Sequence, residues 1–195
     1  MGKINIGITA AVETDKCNPK WHAACKAMTQ IVVPSNHAKL NLESAGKLDN
    51  IVVIPEAFTK ECVLVADALP IDKLPDFSTN FNFLVFGQMT GANPDSDRKN
   101  TFYTLKWLFE EFKDDENVGI VLKTNMGRNT LMDRDNVVST MKSLIAETRK
   151  SAYPRLHILH GDMSDSEVAA LYKHHKVRCL VSPTRGEGFG LPILE

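Results

Sequence analysis

Phe83-Leu84-Val85-Phe86-Gly87, then the polar stretch Gln88 to Asp97, then Phe102, Leu105, Leu108, Phe109 and Phe112, is the part of this chain that decides its fold. The apolar run closed by a glycine reads as a buried strand. The apolar positions after the polar loop recur every three or four residues, while Lys106, Glu110, Glu111 and Lys113 fall elsewhere. That spacing predicts an amphipathic helix of about four turns. Val118 to Leu122 supplies the next strand. Strand, helix and strand in succession make a βαβ unit, which builds a parallel sheet.

The pattern continues toward the C-terminus. Val137, Val138, Met141, Leu144 and Ile145 mark a second helix, and Leu156-His157-Ile158-Leu159 a third strand. Ser164-Asp165-Ser166-Glu167 has the S-x-x-E spacing of a capping box, so a helix should run from there to about His174. Arg178 to Ser182 is the fourth strand. In doubly wound order the third strand lies beside the second, the second beside the first, and the fourth on the first strand's other side.

Toward the N-terminus the same alternation is shorter. Ile4 to Thr9, Gln30 to Val33 and Ile51 to Ile54 read as strands, and Pro19 to Met28 as a helix. A second helix runs from the N-cap Ser35 to about Ala45 and is closed by Gly46. From Pro55 to Asn80 the periodicity loosens around Pro70 and Pro75. The expected organisation is therefore a domain remnant over 1–58, a linker over 59–80 and a second α/β domain over 81–195.

Composition limits the function. The chain has 195 residues, 43% hydrophobic and 24% charged, with 23 Lys+Arg against 24 Asp+Glu and a formal net charge of −1. That is an ordinary globular composition. Near-neutral balance argues against nucleic acid as a partner, since phosphate backbones call for a surplus of Lys and Arg. No apolar run is long enough for a membrane span. Cys17, Cys25, Cys62 and Cys179 are scattered. Cys17-x4-His22-x2-Cys25 matches no common zinc spacing, so reduced thiols and a cytoplasmic address are expected. His157, His160, His174 and His175 read as surface or helix-terminal histidines, and Trp21 and Trp107 as packed on helix faces.

The chemistry concentrates after the fourth strand, in Arg185-Gly186-Glu187-Gly188-Phe189-Gly190-Leu191-Pro192-Ile193-Leu194-Glu195. Glycines between a strand and a helix start let a backbone approach a ligand, and free N–H groups there favour an anion. Glu187 and Glu195, seven residues apart in between, each offer two acceptor oxygens to neighbouring sugar hydroxyls. Gly87, Arg98 and Lys99, which follow the first strand, should face this segment across one crevice. The two cations can neutralise a diphosphate. Pro192 suits the first turn of a helix, yet few residues follow it, so the sequence is expected to be part of a longer one.

Gly186 to Glu195 resembles the E-x7-E signature of retaining glycosyltransferases with the GT-B fold (glycosyl transferases group 1, family 4 type). Phe86-Gly87 with Arg98-Lys99-Asn100 resembles their donor-phosphate loop. Val121-Leu122-Lys123-Thr124 and Gly161-Asp162-Met163-Ser164 stand where that family has its next two strand-end segments. The resemblance covers about the last 115 residues; Gly7 to Ser35 resembles the end of the family's N-terminal domain more loosely.

The resemblance implies a Rossmann-like, partial GT-B donor domain preceded by a remnant of a second Rossmann-like domain. It implies a nucleotide-diphosphate sugar as donor and a glycan, lipid or small molecule as acceptor, with no metal and no cofactor. Glu187, Lys99 and Arg98 would be catalytic. Gly87, Thr124, Gly161, Met163, Gly188, Phe189, Gly190, Leu191 and Glu195 would bind the donor, with Glu195 on the ribose and the base near Gly161 to Met163. Two departures stand out: Gln88 occupies a position where members often carry Arg, and Pro55-Glu56-Ala57-Phe58 replaces a frequent Asn-Gly turn. The parent protein is expected to be a hexosyltransferase and this piece alone to be inactive. The other readings are a non-catalytic nucleotide-sugar-binding module and a dinucleotide-dependent oxidoreductase. The latter normally carries its glycines after the first strand, not the fourth.

Overall fold

A computed structural model describes residues 2–11, 15–57, 74–88, 93–187 and 190–194. The fold is α/β, with two parallel sheets. The chain divides into two compact units, Met1–Phe58 with Arg185–Leu191, and Thr59–Thr184 with Pro192–Glu195.

The first unit holds β1 (Ile6–Ile8), α1 (Pro19–Lys26), β2 (Gln30–Val33), α2 (Asn36–Glu43) and β3 (Ile51–Val53), with the strands in the order β1-β2-β3. Its helices begin where polar side chains can take up unpaired N–H groups. Asn18 accepts from Lys20 N, and Ser35, the expected cap, accepts from Ala38 N at 3.1 Å. Ile31, Val33, Ala38 and Leu42 pack with the thiols of Cys17 and Cys25 into a core on one side of the sheet. Trp21, expected to pack on its helix, is exposed instead, because α1 turns His22 and Cys25 inward.

The second unit contains β4 (Phe81–Gln88), α3 (Thr101–Glu111), β5 (Val118–Asn125), α4 (Leu131–Thr148), β6 (Arg155–His160), α5 (Asp165–Tyr172), β7 (Val177–Leu180) and the short α6 (Leu191–Leu194), whose first residue groups with the other unit. The strand order is β6-β5-β4-β7, all parallel, which is the doubly wound arrangement that the sequence predicts. β5 lies in the middle, and seven of its eight residues are buried. One face carries Val85, Ile120 and Leu122 against Leu105 and Phe109 of α3 and Val137, Met141 and Leu144 of α4. The other carries Leu84 and Val121 against Ala170 and Leu171 of α5.

Leu74 and Phe77, in the stretch predicted as linker, belong to that second core, so packing of this unit begins ahead of β4. Residues 58–73 lie outside the described residues. Ser164 and Glu167 form the expected capping box at α5, and Thr130 with Asp133 forms another at α4. Three further expectations need correction. His157, read as a surface or helix-terminal histidine, lies half-buried in β6 with its ring 5.1 Å from that of Phe77. His174 is only 2% exposed: its Nδ1 accepts from Lys176 N and its ring meets the edge of Phe77. Trp107 is exposed and stacks on Tyr103 rather than entering the core. Among the described residues, no helix is long and apolar enough to cross a membrane.

Candidate functional site

The order reverses between β4 and β7, and the carboxyl ends of such strands are where doubly wound sheets bind ligands. Local chemistry opens a space there. Gly87, second from the end of β4, faces the first turn of α3. A Cβ at this position would lie 2.8 Å from Thr101 Oγ1 and closer still to Cγ2, so only glycine lets helix and strand approach this closely.

α3 starts on an unusual corner. Asn100 adopts the left-handed region at φ +54, which Asn tolerates better than most residues, and offers no side-chain cap. The preceding Asp97 caps instead: its carboxylate accepts from Thr101 N at 2.7 Å and from Lys99 N at 3.0 Å. Arg98 and Lys99 therefore sit beside a helix start that already holds a carboxylate.

This corner is tied to the segment after β7. Asn100 Nδ2 donates to Pro183 O at 3.2 Å, and Thr184 Oγ1 donates to Arg98 O at 3.1 Å. Residues 98–100 and 183–184, more than eighty positions apart in the chain, thus meet at the switch point.

A cavity of about 390 Å³ lies at the carboxyl ends of β4, β5 and β6. Gly87, Lys99, Thr124 and Met163 line it, four of the residues predicted from the sequence, together with Gln88, Lys123, Asn125, Asp162 and Pro192. Its floor is set by register: Phe86 pairs with Lys123, Gly87 with Thr124 and Gln88 with Asn125. Thr124 Oγ1 is buried without a hydrogen-bond partner. Tyr172 donates its hydroxyl to Pro192 O at 2.7 Å, holding that residue at the cavity's edge.

Gly161 lies at the end of β6 with φ +107, a backbone that side chains rarely adopt. Its carbonyl receives Lys123 Nζ at 2.6 Å, and Lys123 Nζ also donates to Asn125 Oδ1 at 2.6 Å. Asp162 Oδ1 accepts amides from Asn125 at 3.1 Å and Asn129 at 2.9 Å. The loops after β5 and β6 are stitched together by this polar cluster. Burial pushes the Lys123 pKa down from the ordinary lysine value, and the Asp162 charge opposes that shift.

The remaining predicted residues fall elsewhere. Arg98 is half-buried at the corner just described. Glu187 and Gly190 (φ +80) belong to Arg185–Leu191, the segment that groups with the first unit. Leu191 opens α6. Gly188, Phe189 and Glu195 lie outside the described residues. Lys123 and Asn125 were not singled out for a role by the sequence, and Asp162 entered only within the stretch Gly161 to Met163 expected near the base. Their available signal was a lysine embedded in an otherwise apolar strand.

No family model matches the chain, and no curated protein matches it. Solved structures do. TarM of S. aureus aligns with a TM-score of 0.56 at 12% identity, over 95% of this chain and 33% of TarM. Anabaena HepE, solved with UDP-glucose, gives 0.55 at 11% identity, over 92% of this chain and 46% of HepE. OtsA, a trehalose-6-phosphate synthase, gives 0.54 at 10% identity, over 80% of this chain and 40% of OtsA. The chain thus spans between a third and just under half the length of these structures. At such identities the likeness concerns the fold, which is that of the Rossmann-like GT-B glycosyltransferases.

Proposed function

We propose that this chain, with its GT-B glycosyltransferase fold, is the donor-binding part of a retaining glycosyltransferase that uses a nucleotide-diphosphate sugar. The observation that carries the reading is the cavity at the ends of β4, β5 and β6, lined by both Gly87 and Lys99 beside the joined 98–100 and 183–184 corner. A cavity of about 390 Å³ falls in the size range of small-molecule sites.

In this reading Lys99, with Arg98, neutralises the diphosphate. Gly87 lets the start of α3, and Lys99 just ahead of it, close on the strand end, and Gly161 to Met163 borders the base. Glu187, Gly188, Phe189, Gly190, Leu191 and Glu195 keep the donor-binding roles that the sequence signature implies. The bond from the sugar's anomeric carbon to the diphosphate breaks, and the nucleoside diphosphate leaves with the electron pair. The acceptor hydroxyl bonds to that carbon on the same face and passes its proton to the departing phosphate oxygen. Fixed cations aimed at the leaving oxygens lower the barrier. The reading uses no metal and no cofactor. We place the protein in the cytoplasm, supported by the free thiols of Cys17 and Cys25.

Titration of the chain with UDP-, GDP- and ADP-sugars tests the reading. One of them should bind, and Lys99→Ala should weaken it by about tenfold to a hundredfold, the scale of a lost charge-assisted hydrogen bond. If every nucleotide sugar binds no better than inorganic phosphate, the reading fails. Product analysis of the full-length protein with its donor separates transfer from binding alone.

A further inference from the structure

Lys123 is the most deeply buried cation at the cavity, at 9% exposure, yet it forms no ion pair with a carboxylate of the described residues. Its ammonium has three N–H donors. Two go to neutral acceptors, Gly161 O and Asn125 Oδ1, while the neighbouring Asp162, whose Oδ1 accepts two amides, acts on the ammonium only through space and makes no direct ion pair with it. A buried charge without a direct ion-pair partner is costly and normally ends up paired. The described residues supply no carboxylate in direct contact with it, and the lysine lines a cavity large enough for an anionic ligand.

Position supports the same conclusion. Lys123 pairs in register with Phe86 on the neighbouring strand, and the next pair is Gly87 with Thr124. It therefore approaches the cavity from β5 while Lys99 approaches from the start of α3. Gln88, at the cavity's edge, adds no charge of its own. An anion held between the two lysines would be contacted from two elements at once, and the Gly161 carbonyl and Asn125 amide would keep the second lysine pointing at it.

We propose that Lys123 is an anion-binding residue of this cavity, its third N–H taking an oxygen of the ligand's diphosphate opposite Lys99. The inference rests on the donor-site reading above and adds to it a residue from the middle strand. Lys123 thus places a positive charge where packing alone would favour an apolar side chain. It also couples the bound anion to the loop at Gly161 and Asp162.

The test is Lys123→Met, which keeps the length and removes the charge. Titrations with inorganic pyrophosphate and with UDP-, GDP- and ADP-sugars are run alongside thermal melting, with and without pyrophosphate. Pyrophosphate affinity should fall at least tenfold, while the ligand-free melting temperature stays level or rises, because the cost of a buried charge with no direct ion pair offsets the two hydrogen bonds lost. A purely structural lysine would behave otherwise: melting would drop by several degrees. Unchanged pyrophosphate affinity, or a drop in melting temperature with no selective loss of anion binding, overturns the proposal. The two readings fail separately. If nucleotide sugars bind wild type and variant equally, Lys123 is wrong and the donor site stands. If only pyrophosphate binds and the variant loses it, the lysine stands and the donor site falls.

Discussion

In the four-stranded sheet, the neighbours Leu84 and Val85 point to opposite faces and both are buried, one beneath α5 and the other beneath α3. In the three-stranded sheet only one face is covered by described residues. The row Gly7-Ile31-Ile51 packs toward Cys25, Ala38 and Leu42, whereas the row Ile8-Val32-Val52 leaves Ile8 82% exposed. Both sheets follow the same parallel strand-and-helix grammar, and parallel strands are normally buried on both faces. Among the described residues, the sheet with two cores is the one whose carboxyl-end side chains are backed by packing on both faces. The polar cavity opens there.

The sharpest way to break this comparison is to cut one apolar side chain beneath the four-stranded sheet and one on the open row of the three-stranded sheet. Phe109→Ala, at a side chain with 0% exposure, should destabilise the second unit by about 3–5 kcal/mol in chemical denaturation. Ile8→Thr in the first unit should change stability by no more than about 0.5 kcal/mol. Equal effects would mean that the uncovered row is not solvent-facing. Next in size is Gly87→Ala. The collision with Thr101 should cost about 1–3 kcal/mol and weaken ligand binding as well, since helix and strand must separate at the cavity. Ser164→Ala removes a cap and should cost about 1 kcal/mol, read from the melting curve.

A smaller effect separates the two regions by pH. Burial holds the pKa of both His157 and His174 below the ordinary histidine value, with Arg155 and Lys176 adding to the shift at His157, and His175 and Lys176 at His174. A depressed histidine is neutral when folded and takes up its proton more readily when unfolded. Its stabilisation is complete above the unfolded pKa of about 6.5 and is lost as pH falls through the folded value. Thermal stability of the second unit should therefore drop as pH falls from about 7 toward 5. His174→Asn, which can still accept from Lys176 N but does not titrate, should flatten that decline. An unchanged slope would remove His174 from the account.

How much of this could be read from the chain depends on the kind of signal. The order β6-β5-β4-β7 was legible because helical crossovers between parallel strands leave few alternatives. The Ser164–Glu167 box was legible because its spacing is fixed by the geometry of one helical turn. Thr130–Asp133 does the same work with a shorter acid, and its helix therefore starts earlier than the apolar periodicity suggested. Trp107 and His174 were misread because sequence periodicity gives a helix face but not what stands opposite it. Phe109 and Leu105 already fill the core side of α3, leaving Trp107 outside, and Phe77, from a stretch that looked like linker, covers His174. Within the cavity, Lys99 and Gly87 could be found from the strand-end and loop pattern. Lys123 could not be assigned a role, because its meaning rests on Gly161 and Asn125 closing around it.

The most direct measurement is a crystal structure of the chain with its best-binding nucleotide sugar. The account predicts a diphosphate in the cavity at the ends of β4 and β5, with an oxygen within hydrogen-bond distance of Lys99 Nζ. A ligand bound away from Lys99, for example in the apolar hollow beside Trp21 and Met28 of the first unit, would contradict it.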